Sequence, residues 1–524
     1  MMNRRSFLYR GTLAASTFTF AKAWAAPATG DSSGPVVETT AGKVRGAADG
    51  KVGAFRGVPY GASTAGTARF MPPEKPQPWA GVKDTIELGH RSPQGPSSLI
   101  PEVAAVDANE AMGEDCLVLN VWTPGTSRQK RPVMVWLHGG GFTSGSGGFK
   151  IYDGANLAGK HDVVVVTVNH RLNAFGYLYL ADLGGAQFAS SSNIGMLDIV
   201  AALEWVRDNI SNFGGDPANV TIFGQSGGGA KVCTLLGMPS AKGLVHRAVV
   251  ESGAALNGIP RDAANKATEA FFAKVGLKPD QAGELQKLPV DRIVQALAAG
   301  RFGPVVDGKT LPANPFDPAG LEISSNVPLL IGTTQTEVTF FPGQQLDPID
   351  EAAMRTRVKQ TFHSSDADTD KIIAAYKQVD PAISNIDIAL ESASDSFAWT
   401  NAIAAAERKL ALAKAPAYMY YFKWRSPVRD GKLKAMHCME IPFVFENVDL
   451  GQPMTGSGHD RYALAAKISG AWVAFARTGN PNQKGLAWPA YSTAKRATMV
   501  FDDKTEVVDD PRKAVRETLA SLKA

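Results

Sequence analysis

The 524 residues, 44% hydrophobic and 20% charged, are enough to bury a large core as two or three ordinary domains or one large α/β domain. A net charge of +4, with lysines and arginines scattered and no basic run past the N-terminus, excludes a nucleic-acid surface, and no apolar run is long enough to span a bilayer. Three cysteines (Cys116, Cys233 and Cys438) in unrelated contexts form neither a disulfide framework nor a metal-ligand spacing, so neither metal nor cofactor is expected.

In chain order, Asn3-Arg4-Arg5-Ser6-Phe7-Leu8 is a twin-arginine pattern followed by an apolar segment from Gly11 to Phe20. Ala23-Trp24-Ala25 then offers small residues at the positions a signal peptidase reads. Residues 1–25 are therefore expected to be an export signal, with cleavage before Ala26, and 26–524 a single periplasmic or secreted domain. Residues 36–70, glycine-rich with short alternating segments, predict small hairpins, and 71–78 a proline-rich extended crossing. Apolar, β-branched runs at 117–121, 133–137, 163–168, 220–223, 248–250, 329–331 and 417–422 are separated by helical patterns. That rhythm predicts a large, mostly parallel sheet with helices on both faces. An amphipathic helix over 197–210 precedes the fourth run. Residues 92–115 form a long loop with five acidic residues and no aromatic. The alanine-rich helical stretches at 257–299 and 347–412 predict insertions that roof the strand ends.

Gly224-Gln225-Ser226-Gly227-Gly228 closes the 220–223 run and carries the chemistry. A serine with glycines two residues away on each side, directly after a strand, marks a tight strand-to-helix turn that exposes the hydroxyl. Such a serine needs a base, and the oxyanion formed on attack needs donors. Trp136-Leu137-His138-Gly139-Gly140-Gly141-Phe142 follows its own apolar run, and consecutive glycines let backbone N–H groups converge. Gly140, Gly141 and Gly227 are the expected oxyanion donors. Among eight histidines, His437, in a loop after the 417–422 run and far past the serine, is the expected base in the chain order nucleophile, acid, base, whereas His90, His161, His246, His363 and His459 sit in polar stretches. His170 is expected to satisfy a core hydrogen bond and His138 to shape the glycine loop. Glu337, in the loop after the 329–331 run, is the expected acid in preference to Asp307 or Glu440.

These segments together resemble the type-B carboxylesterases, a family of α/β-hydrolases that includes cholinesterases, bacterial para-nitrobenzyl esterases and the noncatalytic neuroligins. Matching stretches run nearly end to end: Phe55-Arg56-Gly57-Val58-Pro59-Tyr60, Glu114-Asp115-Cys116-Leu117, the Gly139 loop, Asn169-His170-Arg171-Leu172-Asn173, Asn212-Phe213-Gly214-Gly215-Asp216-Pro217, the Ser226 turn, and the Glu337 and His437 segments. The resemblance implies Ser226, Glu337 and His437 as a catalytic triad hydrolysing small-molecule carboxylic esters through an acyl-serine. It also implies two structural ion pairs, Arg69 with Glu114 and Arg171 with Asp198.

Departures from the family pattern narrow the substrate. Ser92 stands where secreted animal members carry the partner of the cysteine matching Cys116. The loop after it lacks the aromatic that receives choline. Neutral Gln225 replaces the glutamate that many members carry before the serine. Neutral or weakly anionic esters are therefore expected, xenobiotic or polycarboxylate esters among them. The same machinery acting on amides, carbamates or thioesters is the alternative, and a noncatalytic adhesion role the remote one. Oligomeric state and the physiological ester are not encoded in these patterns.

Overall fold

Val163-Val164-Val165-Val166-Thr167-Val168 is β-branched throughout, a composition that packs well on a pleated surface covered on both sides. In the computed structural model, which describes residues 34–96, 99–412 and 414–522, it forms the strand Val164–Val168, buried at every position. The expected leader over residues 1–25 lies outside the described residues.

Among the described residues, eleven strands make the main sheet. They are β1 (Ala47–Asp49), β2 (Val52–Pro59), β3 (Val118–Thr123), β4 (Arg131–Leu137), β5 (Val164–Val168), β6 (Gly215–Gln225), β7 (Arg247–Glu251), β8 (Leu329–Thr334), β9 (Ala417–Phe422), β10 (Ala497–Phe501) and β11 (Glu506–Asp509). Their spatial order is β1-β2-β3-β5-β4-β6-β7-β8-β9-β10-β11. From β5 to β10 every neighbouring pair is parallel. The pairs at the two edges, β1 to β3 and β3 with β5 on one side and β10 with β11 on the other, are antiparallel. All seven predicted runs are strands. The glycine-rich N-terminal hairpin joins the sheet as β1 and β2, whereas β10 and β11 were not anticipated.

Alternation along β4 shows why the apolar runs are continuous. Val133, Val135 and Leu137 enter the core on one face, and Met134 and Trp136 the core on the other. Helix Ile194–Asn209, predicted over 197–210, and helix Gly227–Leu236 bury their apolar faces in the first core. Helix Asp460–Thr478 packs on the second.

The strand order creates the crevice. From β4 the chain passes to β5 on one side, whereas from β6 it passes to β7 on the other. Loops leaving β4 and β6 therefore diverge at a topological switch point, where open parallel sheets bind ligands. β4 and β6 are in register to their last residues, Leu137 opposite Gly224, so the glycine loop and the Ser226 turn emerge side by side.

Both expected ion pairs are present. Arg171 donates through Nε and Nη2 to Asp198 at 2.8 and 2.5 Å, and through Nη1 to the Met71 carbonyl at 2.7 Å. Arg69 grips Glu114 at 2.6 and 2.7 Å and donates to the Leu288 carbonyl at 2.7 Å. Each guanidinium thus ties a loop to its neighbours with its donors satisfied, which is what allows a buried charge to persist. Cys116 is a free, buried thiol whose proton burial pushes up to about 12, and Ser92 Oγ accepts the Leu172 N–H at 3.2 Å. The 257–299 and 347–412 stretches are helical as predicted. The second contains Glu351–Phe362, Asp366–Val379, Asn385–Ser394, a π-turn at Asp395–Trp399 and Thr400–Leu410.

Candidate active site

β6 ends at Gln225, and the chain turns directly into helix Gly227–Leu236, leaving Ser226 at φ 58° and ψ −123°. A β-carbon rarely adopts that conformation, so the neighbours must hold it. The Ser226 N–H donates to the Glu251 carbonyl at 2.8 Å, and the Ser226 carbonyl accepts the Ala230 N–H at 3.0 Å. The glycines are sterically required. A β-carbon on Gly227 would lie 2.2 Å from the Gly141 carbonyl oxygen, and one on Gly228 would lie 1.9 Å from that of Leu137.

The same closeness brings the glycine loop onto the serine. Gly140 and Gly141 have φ of 85° and 63°, positive values that favour glycine. The N–H groups of Gly140, Gly141 and Gly227 have no hydrogen-bond partner among the described residues. Unpaired backbone donors are costly where protein is packed, unless an incoming oxygen takes them. Loop 92–115, which carries a short helix Pro101–Ala104, braces the far end of the glycine loop. Gln94 exchanges two hydrogen bonds with Gly145, at 2.8 and 3.0 Å.

Glu337 is fully buried at the start of a short 3₁₀ turn, Glu337–Phe340. One carboxylate oxygen accepts the Thr334 N–H at 2.9 Å, and the other accepts a short hydrogen bond from His437 Nδ1. The two loops are also joined by backbone bonds, Thr336 N–H to the Ala435 carbonyl and His437 N–H to the Glu337 carbonyl. With the proton on Nδ1 directed to Glu337, the lone pair of His437 resides on Nε2. The structure thus unites Glu337 with His437 and the glycine loop with Ser226. It shows no hydrogen bond between Ser226 and His437. Instead the Gln225 side-chain nitrogen lies 3.2 Å from each imidazole nitrogen, its oxygen accepting from the Cys438 thiol at 3.3 Å. Contacts of this kind often tighten only when substrate arrives.

Several neighbours were not legible in the sequence. Phe340, Phe341 and Phe397 surround the imidazole, with ring centroids 5.3, 6.5 and 5.7 Å away. Phe397 lies on the π-turn of the second insertion and remains 44% exposed. The Phe340-Phe341 pair just after Glu337 was a usable signal; nothing around Phe397 was. His138 is buried and stacked on His170, centroids 5.1 Å apart, and burial holds both rings well below the usual histidine range. His170 Nδ1 bonds the Arg171 carbonyl at 2.9 Å, as expected of a core histidine. Asp307 takes no part; it accepts from Ser192 and Thr310.

Behind the Ser226 turn lie two buried carboxyls. Glu251 accepts from Trp472 Nε1 at 2.7 Å, and Glu440 accepts from Ser252 at 3.3 Å and Tyr420 at 3.4 Å. Each leaves its second oxygen without a partner. Burial pushes Glu251 up to about 8; burial, and then the negative charge of Glu251, push Glu440 well above the carboxylate range. A carboxyl protonated when folded and ionised when unfolded stabilises the fold fully below pH 4.5, and that stability is lost as pH rises toward 8. Glu251→Gln keeps the acceptor for Trp472 and cannot ionise. Its stability relative to the wild type should climb between pH 5 and 8, with a limiting slope of about 1.4 kcal/mol per pH unit for one proton, and its relative melting temperature should climb with it. Differential scanning fluorimetry across that range checks this; a difference that stays flat refutes it.

The sequence profile described as "Carboxylesterase family" matches residues 33–519. The chain is 35% identical to the para-nitrobenzyl esterase of Bacillus subtilis, an alignment covering 92% of this chain and 98% of that protein. It is 31% identical to the phenmedipham hydrolase of Pseudarthrobacter oxydans, over 91% and 97% respectively. Among solved structures, a carboxylesterase of Geobacillus stearothermophilus superimposes with a TM-score of 0.81 at 36% identity, covering 92% of this chain and 99% of that one. With the α/β-hydrolase sheet, the glycine-framed serine turn and this end-to-end similarity in place, the chain belongs to the carboxylesterase family.

Proposed function

We propose that Ser226 is the nucleophile, His437 its general base and Glu337 the acid that orients His437, acting on neutral or weakly anionic carboxylic esters. The observation that carries this reading is the set of three unpaired N–H groups, on Gly140, Gly141 and Gly227, gathered around the strained serine turn. Those donors receive the carbonyl oxygen as Ser226 Oγ attacks, and they hold it best when it is most negative. His437 Nε2 takes the serine proton and returns it to the departing alcohol. Glu337, facing Nδ1, stabilises the imidazolium between these steps. Water then attacks the acyl-serine by the same route, and the carboxylic acid leaves.

A fluorophosphonate probe should label the wild-type protein once and fail to label Ser226→Ala. Labelling that survives this substitution removes Ser226 as nucleophile, and absence of labelling in the wild type removes the reading altogether.

The substrate class rests on what lines the site. Gln225 supplies no charge where it touches His437, and three phenylalanine rings supply an apolar, aromatic wall. A para-nitrobenzyl esterase among the relatives agrees with an uncharged aryl-bearing ester. Across a matched panel, kcat/KM for neutral para-nitrophenyl and benzyl esters should exceed that for choline esters by at least about tenfold, the scale of one cation–anion or cation–π contact. Equal values would refute the assignment.

We also propose export of the folded protein through the twin-arginine pattern at Arg4 and Arg5 to a periplasmic or external location, consistent with the small-residue cleavage pattern before Ala26. Arg4→Lys with Arg5→Lys should retain the activity inside the cell on fractionation; unchanged export would refute this route.

A further inference from the structure

Five residues past Ser226, on helix Gly227–Leu236, Lys231 is completely buried. No carboxylate pairs with it among the described residues. Its ammonium donates to the His138 carbonyl at 2.8 Å and lies 5.7 Å from the centre of the Phe142 ring. An ammonium without a counter-charge is among the costliest groups to bury, and an apolar side chain of similar length would avoid that cost. Burial lowers its pKa to about 7. The neighbouring imidazoles, His138 and His170, are themselves held neutral, and Arg171 is occupied by Asp198.

The two contacts of Lys231 share a purpose. His138 and Phe142 flank Gly139-Gly140-Gly141, the segment that carries the Gly140 and Gly141 N–H groups left without a partner among the described residues. Three consecutive glycines have the greatest backbone freedom of any tripeptide, so their donors are preorganised only if both ends are fixed. Downstream, several bonds do this: the Asn173 N–H to the Phe142 carbonyl at 2.7 Å, Asn173 Nδ2 to the Thr143 carbonyl at 3.2 Å, and the Gln94 pair on Gly145. Upstream, the partner of the His138 carbonyl is Lys231.

We propose that Lys231 is a positioning residue of this loop: by donating to the His138 carbonyl and packing over Phe142, it holds the glycines so that their free N–H groups stay aimed at the carbonyl Ser226 attacks. The proposal rests on the reading of Gly140, Gly141 and Gly227 as oxyanion donors. It predicts that Lys231 matters to the transition state and little to substrate capture.

Lys231→Met removes the donor and the charge at nearly constant length. It should lower kcat by roughly tenfold or more, short of the loss from deleting an oxyanion donor outright, and leave KM within about twofold. Affinity for a boronic acid transition-state analogue should fall by the same factor as kcat/KM, while inhibition by the product carboxylic acid stays unchanged. A purely structural lysine would lower the melting temperature without linking kcat to analogue affinity. A folded Lys231→Met with wild-type kcat, or one that loses kcat but keeps analogue affinity, overturns the proposal. If Lys231→Met yields no folded protein, Lys231→Gln, which retains an N–H donor, is judged by the same link and should lose less activity. Fluorophosphonate labelling and hydrolysis by the wild type are measured alongside. Their absence would sink the nucleophile reading, whereas a fully active wild type with an equally active Lys231 variant sinks this proposal alone.

Discussion

The backbone at Ser226 is held at φ 58° by contacts that leave no room for side chains on the segments around it. β-Carbons on Gly227, Gly228 and Gly253 would fall 2.2, 1.9 and 2.0 Å from the carbonyl oxygens of Gly141, Leu137 and Ser226. These glycines belong to two segments, the helix start just after Ser226 and the loop after β7. Because they carry no side chains, backbone can lie on backbone, and the hydroxyl and the unpaired N–H groups come within one small volume. The parallel register of β4, β6 and β7 supplies the alignment, with Leu137 opposite Gly224 and Gln225 opposite Glu251. The strained serine and the N–H groups proposed as its oxyanion donors are thus consequences of one close approach, and a change that loosens it would disturb both together.

Around that approach the protein keeps charge scarce. Burial raises the carboxyls of Glu251 and Glu440 and the thiol of Cys438 and lowers the imidazoles of His138 and His170, disfavouring the charged form of each. Gln225 adds hydrogen bonds without charge. In a medium of low polarity a dipole acts over a longer range, so the few polar groups that remain directed at the crevice count for more.

The sheet was readable because its strands are buried on both faces and so stand out as unbroken apolar runs, as β4, β5 and β9 do. β10 and β11 escaped because Ala497-Thr498-Met499-Val500-Phe501 mixes small and polar residues with apolar ones near an edge. The tight turn at Ser226 and the pairing of Glu337 with His437 were legible from local context, a glycine-framed serine after a strand and an acid and a histidine after later strands. Lys231 and Glu251 were not, because a charged residue in a sequence reads as exposed until three dimensions show it buried. Phe397 was hidden for a different reason. It approaches His437 from an insertion more than fifty residues past Glu337, and only the π-turn at Asp395–Trp399 aims it there.

That π-turn bears on where specificity resides. A helix that runs from Asn385 to Leu410 gains an extra residue per turn at Asp395–Trp399, which rotates the residues after it relative to those before. The turn is firmly seated: Asp395 accepts from Arg512 at 2.7 Å and from Tyr376 at 2.6 Å, and Arg512 also reaches Glu391 at 2.8 Å. A buried ion network thus anchors one side of the distortion while the other side presents a half-exposed phenylalanine to the imidazole. The groups proposed as catalytic ride on the strand ends, whose register fixes them and tolerates little variation. Of the aromatic wall, Phe397 rides on an inserted helix fastened by its own charges, whereas Phe340 and Phe341 sit on and just after the turn that carries Glu337. In the proposed reading, selectivity is therefore divided between the turn after β8, which carries Phe340 and Phe341 beside Glu337, and the insertion, which carries Phe397.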